Sequence, residues 1–147
     1  MIKAAGISLN TLTHKDDGEN TDCLQVLCSI LDHRVDHCFD HGNRHGFIRG
    51  AYLQGMLLML EKGVFVSKIL EKRSKLGELV IPMAELALCN LFAKPCCKSV
   101  LTGVKTYERL WKNLRISQLT PLSNVELSAV KKIVFLALEE ICVSPFM

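Results

Sequence analysis

The chain has no glycine-rich G-x-G-x-x-G or Walker loop, no G-x-S-x-G elbow and no C-x-x-C pair. The motif-borne routes to nucleotide binding, serine hydrolysis and dithiol exchange are therefore absent from its sequence. No stretch of about 18 residues is uniformly apolar, which excludes a hydropathy-defined membrane span. The first residues lack an apolar core and a small-residue cleavage site, so they do not read as a secretory signal, and neither end carries a lipidation motif. Sustained apolar–polar alternation, internal repeats and low-complexity tracts are missing as well, which argues against a β-rich or solenoid chain.

What is present is apolar. Of 147 residues 49% are hydrophobic and 22% charged, with a mean hydropathy of +0.23. That length makes one domain with a substantial core. The apolar surplus suggests a deeply buried helix and an apolar surface for a partner or a second copy. There are seven cysteines, an odd number, and several fall on expected apolar faces. They read as reduced thiols in a cytoplasmic setting, where cysteine packs as a small hydrophobe. Residues 1–41 hold three basic and seven acidic side chains, whereas residues 42–118 hold thirteen and five. The basic middle favours an acidic partner, protein or nucleic acid.

The periodicity predicts an all-α, single-domain bundle of five or six helices around a buried central helix. Residues 1–19 read as a loosely ordered arm, with a short docked piece at Ile7–Leu12, and residues 20–147 as the bundle. A first helix is placed at 21–41 on the stripe Leu24, Leu27, Cys28, Leu31, Val35 and Cys38. The central element is Gly46–Leu70, whose run Met56-Leu57-Leu58-Met59-Leu60 is apolar on every side. Gly50 and Gly55 within it read as small residues that let another helix approach. Pro82 suits the first turn of a helix at 81–94. A further helix at 96–115 has Val100, Val104, Tyr107, Trp111 and Leu114 inside and Lys98, Lys105, Arg109 and Lys112 outside. Ser123 and Glu126 make a capping box for a last helix at 124–142.

Three constellations are candidates for chemistry. His33, His37, His41 and His45 recur at four-residue spacing, with Asp32, Asp36 and Asp40 beside them. His33 and His37 with Asp36 form a candidate zinc site, since histidines one helical turn apart can chelate the ion; a solvated acid–base face is the plainer alternative. Arg34 and His41, spaced R-x6-H, resemble the R-x4-6-H motif of HEPN ribonucleases, and that resemblance implies a helical bundle acting on RNA at a dimer interface. The row Lys98, Lys105, Arg109 and Lys112 is a candidate face for nucleic acid or an acidic partner. The vicinal Cys96-Cys97 pair, read at a helix start, is a candidate for redox chemistry through a lowered thiol pKa.

These features favour a non-enzymatic, cytoplasmic protein–protein interaction module that needs no cofactor, an adaptor, regulator or chaperone-like protein, with homodimerisation as an option. A nucleic-acid-binding regulator is the alternative, and the metal or ribonuclease reading around Arg34–His41 comes third. Enzymatic activity is disfavoured.

Overall fold

The computed structural model describes residues 2–9, 21–32, 44–58, 71 and 74–141, with backbone alone for 135–141. Four strands, β1 (Gly6–Ser8), β2 (Cys23–Leu27), β3 (His45–Arg49) and β4 (Cys97–Leu101), form one sheet in chain order, and each neighbouring pair is parallel. Among the described residues, the second half also carries the helices α1 (Met83–Phe92), which precedes β4, and α2 (Tyr107–Ile116) and α3 (Asn124–Ile141), which follow it. The chain is thus an α/β protein with a parallel sheet, and the all-α bundle is wrong.

The physical reason lies in the length of the apolar runs. Five residues such as Cys23–Leu27 satisfy a helical stripe and a strand equally well. In the fold, Leu24 and Val26 are fully buried while Cys23, Gln25 and Leu27 are half-buried, the two-residue period of a strand. Parallel strands covered on both faces lose the polar alternation that would identify them. Gly6 is required where β1 meets β2, because a Cβ there would lie 2.8 Å from Cys23 Cβ.

The predicted central helix dissolves in the same way. Its first residues are β3, and Gly50 then turns the chain at φ +77°. A side chain at Gly50 would also meet Leu27 Cδ1 at 2.8 Å, so the glycine serves a turn and not a helix–helix approach. In the Met56–Leu60 run, Leu57 is buried and Leu58 exposed; Met59 and Leu60 lie outside the described residues.

The element buried on all sides is α1, which lies within the stretch expected to be helical. One core cluster packs its Leu88, Cys89 and Leu91 on Leu24, Val26, Cys28 and Ile48 of the sheet. A second joins its Leu86 and Ala87 to Ile30, Leu31, Leu57, Leu76, Val130 and Val134. Each fully buried leucine contributes about 1.5–3 kcal/mol, so α1 couples the sheet to α3. The capping box of α3 is in place. Glu126 N donates to Ser123 Oγ at 3.3 Å, and Ser123 N donates to Glu126 Oε2 at 2.7 Å.

The expected helix 96–115 is two elements, β4 and α2, joined by Thr102–Thr106. Thr106 starts α2 by accepting from Arg109 N at 3.3 Å. Among the described residues, no helix is long and apolar enough to cross a membrane.

Candidate functional site at the carboxyl edge of the sheet

Because all four strands are parallel, the segments that leave them emerge on one edge. In parallel α/β sheets ligands bind at that edge, where connecting loops can vary without disturbing the core. Here it is built from Leu9 after β1, Cys28 and Ser29 after β2, Gly50–Gly55 after β3 and Thr102–Thr106 after β4.

These segments are tied across the sheet. Arg49 Nη2, at the end of β3, donates to the Leu9 carbonyl at 3.1 Å, reaching past β2, and Cys28 N donates to the Arg49 carbonyl at 3.1 Å. After β3 the chain makes a left-handed turn, with φ of +49° at Leu53, +57° at Gln54 and +93° at Gly55. For Leu53 and Gln54 this costs roughly 1–2 kcal/mol each, a type of strain that concentrates at functional sites.

Tyr52 fixes that turn. Its hydroxyl donates to Asn113 Oδ1 of α2 at 3.0 Å, and Asn113 Nδ2 donates to Thr102 Oγ1 at 3.1 Å. The chain Tyr52–Asn113–Thr102 therefore locks the β3 turn, the β4 loop and α2 into one frame. Burial, and secondarily the charge of Cys89, pushes the Tyr52 phenol up to about 12. It is a neutral donor across the physiological range.

The β4 loop has the composition of an anion cradle. Gly103 has no atom within 4 Å of where a Cβ would stand, so its backbone is open to approach. Lys105 and Arg109 are exposed on either side of the Thr106 cap, at the positive end of the ten-residue helix α2. The first N–H groups of a helix point outward and favour a phosphate or carboxylate.

The residues singled out in the sequence are distributed differently. Lys98 lies within β4, Lys105 in the loop, and Arg109 and Lys112 on α2, so the four do not share one helical face. Tyr107 and Trp111, expected inside, are 72% and 51% exposed and form an edge-to-face pair at 5.8 Å. Cys97 opens a strand, not a helix, and burial with the neighbouring Cys96 pushes its thiol up to about 11, which removes the reactive-thiol rationale. His33, Arg34, Asp36, His37 and His41 lie outside the described residues. Among the described residues, no three His, Cys, Asp or Glu side chains are grouped to hold a metal ion.

Tyr52, Asn113 and Thr102 were not signalled as functional. The readable trace of the site is Leu101-Thr102-Gly103 followed by a cap at Thr106, a strand end, a glycine and a helix start within a few residues.

No protein-family model and no curated protein matches this chain. Its fold is similar to solved aldo-keto reductases. With the holo form of aldo-keto reductase AKR11C1 from Bacillus halodurans it shares 25% identity and a TM-score of 0.68, covering 78% of this chain and 43% of that one. The apo form of the same enzyme gives 23% identity, a TM-score of 0.65 and coverages of 78% and 44%. The thermostable aldo-keto reductase Tm1743, bound to the inhibitor epalrestat, gives 18%, 0.56, and coverages of 76% and 39%. The chain spans less than half the length of these reductases. The likeness overturns the expectations of a non-enzymatic adaptor and of a nucleic-acid-binding regulator, and it turns the absence of a cofactor into a poor premise, since the likeness extends to a reductase known in a holo form.

Proposed function

We propose that this chain supplies the cofactor-binding half of an aldo-keto-reductase-like oxidoreductase, holding the phosphate groups of NADP(H) at the carboxyl edge of its sheet. The observation that carries the reading is the placement of Lys105, Arg109 and the open Gly103 around the N-terminus of α2, directly after a parallel strand. The donor set fits the group. Two cations and outward N–H groups match a phosphate, and the Tyr52–Asn113–Thr102 frame holds them before a ligand arrives. The neighbours' printed descriptions, a reductase in holo and apo forms, agree with a cofactor in this fold.

When bound, the dinucleotide supplies the hydride for reduction of a carbonyl. The described residues bind and orient it. Lys105 and Arg109 neutralise phosphate charge, and Thr106 keeps the helix start in register. The left-handed Leu53–Gly55 turn, on the same edge, is available to the rest of the dinucleotide. Of the four cations expected to form an acidic-partner face, Lys105 and Arg109 serve the cofactor. A cytoplasmic location suits the reduced thiols of Cys23, Cys28, Cys89, Cys96 and Cys97 among the described residues.

Calorimetric titration of the 147-residue chain with NADPH and with NADH tests the proposal. Saturable binding is expected, tighter for NADPH. Each charge-assisted contact is worth about 1.5–3 kcal/mol, so Lys105→Ala or Arg109→Ala should weaken it by roughly ten- to a hundred-fold. Heat indistinguishable from dilution, or binding unchanged in both variants, would reject it.

A further inference from the structure

The vicinal cysteines Cys96 and Cys97 lie where the backbone is bent at the amino end of β4. Along an extended strand, consecutive side chains point to opposite faces. Cys97 opens β4, but Cys96 belongs to the turn before it. Pro95 takes the second position of that turn, and Cys97 N closes it by donating to the Lys94 carbonyl at 3.0 Å. The Cys96 carbonyl accepts from Gly46 N of β3 at 2.8 Å, which pins the turn to the sheet. Directly after the pair the register slips. Gly46 faces Cys97 and Phe47 faces Ser99, so Lys98 is an extra residue on β4. Such a bulge bends its strand and re-aims the side chains beside it. Both thiols are reduced and half-buried, and the charge of Cys96 is felt at Cys97.

The other described thiols are out of reach of this pair. Cys28 and Cys89 are buried. Cys23 is on β2, and with β3 between them its backbone stands roughly 9–10 Å from β4 at the usual strand spacing. Among the described residues no third His, Cys, Asp or Glu is grouped with the two, so a zinc ion, which takes four ligands, is not served. Two thiols alone suffice for a thiophilic centre that binds two sulfurs and keeps its third bond to carbon. We propose that Cys96 and Cys97 form a dithiol site for a trivalent arsenical. In its hydrated form the arsenical carries two hydroxyls on As(III). Two As–S bonds form, two As–O bonds break, and two waters leave, each taking one thiol proton. Neither arsenic nor sulfur changes oxidation state, so the step needs no oxidant. It consumes neutral thiols, the form that burial favours at Cys97. The second As–S bond closes a ring within the chain and gains from a high effective concentration. The pair is at the opposite end of β4 from the Thr102–Thr106 loop, so the inference stands apart from the cofactor proposal.

Intact-mass spectrometry of the folded chain, reduced with a phosphine and mixed with equimolar phenylarsine oxide, tests it. The expected product gains one phenylarsenic group and loses two hydrogens. A dithiol such as dimercaptopropanol should strip it, and excess mercaptoethanol should not. Cys96→Ser and Cys97→Ser should each weaken capture by at least about a hundredfold, whereas Cys23→Ser should leave it unchanged. Proteolysis of the wild-type adduct, which needs no variant to fold, should place the arsenic on the peptide holding both residues. No adduct, an adduct that mercaptoethanol removes, or arsenic mapped to any other cysteines would overturn the proposal.

Discussion

The phenol of Tyr52 donates to Oδ1 of Asn113 at 3.0 Å, and by that bond the turn after β3 is fixed to α2. The amide's other end donates to Thr102, so one side chain serves both loops of the carboxyl edge. Asn113→Ala leaves the half-buried Tyr52 and Thr102 hydroxyls without this partner and should cost about 1–3 kcal/mol, against about 0.5–1.5 kcal/mol for Tyr52→Phe. Urea denaturation of the two single variants and the double variant measures both. Strictly additive losses would show that Tyr52 and Asn113 are not coupled.

Alkaline pH should destabilise the fold. The Tyr52 phenol is raised from 10.0 to about 12 and the Cys97 thiol from 9.0 to about 11, in each case chiefly by burial. A raised folded pKa means that the unfolded chain ionises first. The stability these groups hold is complete below pH 9, and it is lost as pH rises toward about 11 for Cys97 and about 12 for Tyr52. Melting temperature recorded across that range should fall, and the part above pH 10 should shrink in Tyr52→Phe. An identical profile in the variant would count against the buried phenol.

The helix cap gives the opposite sign. The Ser123 hydroxyl and amide hold the Glu126 carboxyl below its ordinary value. Its contribution is present above the ordinary carboxylate pKa and fades as pH falls through the lowered one. Ser123→Ala should cost about 1 kcal/mol at neutral pH, and Glu126→Gln should flatten the acid side of the stability profile. A variant indistinguishable from wild type in both assays would show the cap to be idle.

Gly50 should tolerate no side chain. Its φ of +77° and the Leu27 methyl 2.8 Å from any added Cβ make Gly50→Ala destabilising twice over. A loss above about 1 kcal/mol is expected in thermal or urea unfolding. A stabilised variant would mean that the β3 turn has another conformation.

The parts of the fold legible in the sequence were those with local punctuation. Pro82 marked the start of α1, and Ser123 with Glu126 marked α3, because caps act over three or four residues and leave a signature. The strands left none. Leu24 and Val26 belong to a five-residue run that is also a helical stripe, and β3 merged with Met56–Leu60 into one apolar block whose break at Gly50 looked like a packing glycine. The basic residues were visible as a group, but Lys98 was placed on the same helix as Lys105 and Arg109 when a strand and a loop separate them. The frame of Tyr52, Asn113 and Thr102 is a tertiary juxtaposition of residues 61 and 11 apart, which no local pattern records.

The most direct test of cofactor binding at the carboxyl edge is an amide-resolved NMR titration of the isotope-labelled chain with NADP+. The expected shifts cluster at Thr102–Arg109 and Gly50–Gly55, saturate together, and disappear in Lys105→Glu with Arg109→Glu. Shifts confined to other surfaces, or none at millimolar nucleotide, would contradict it.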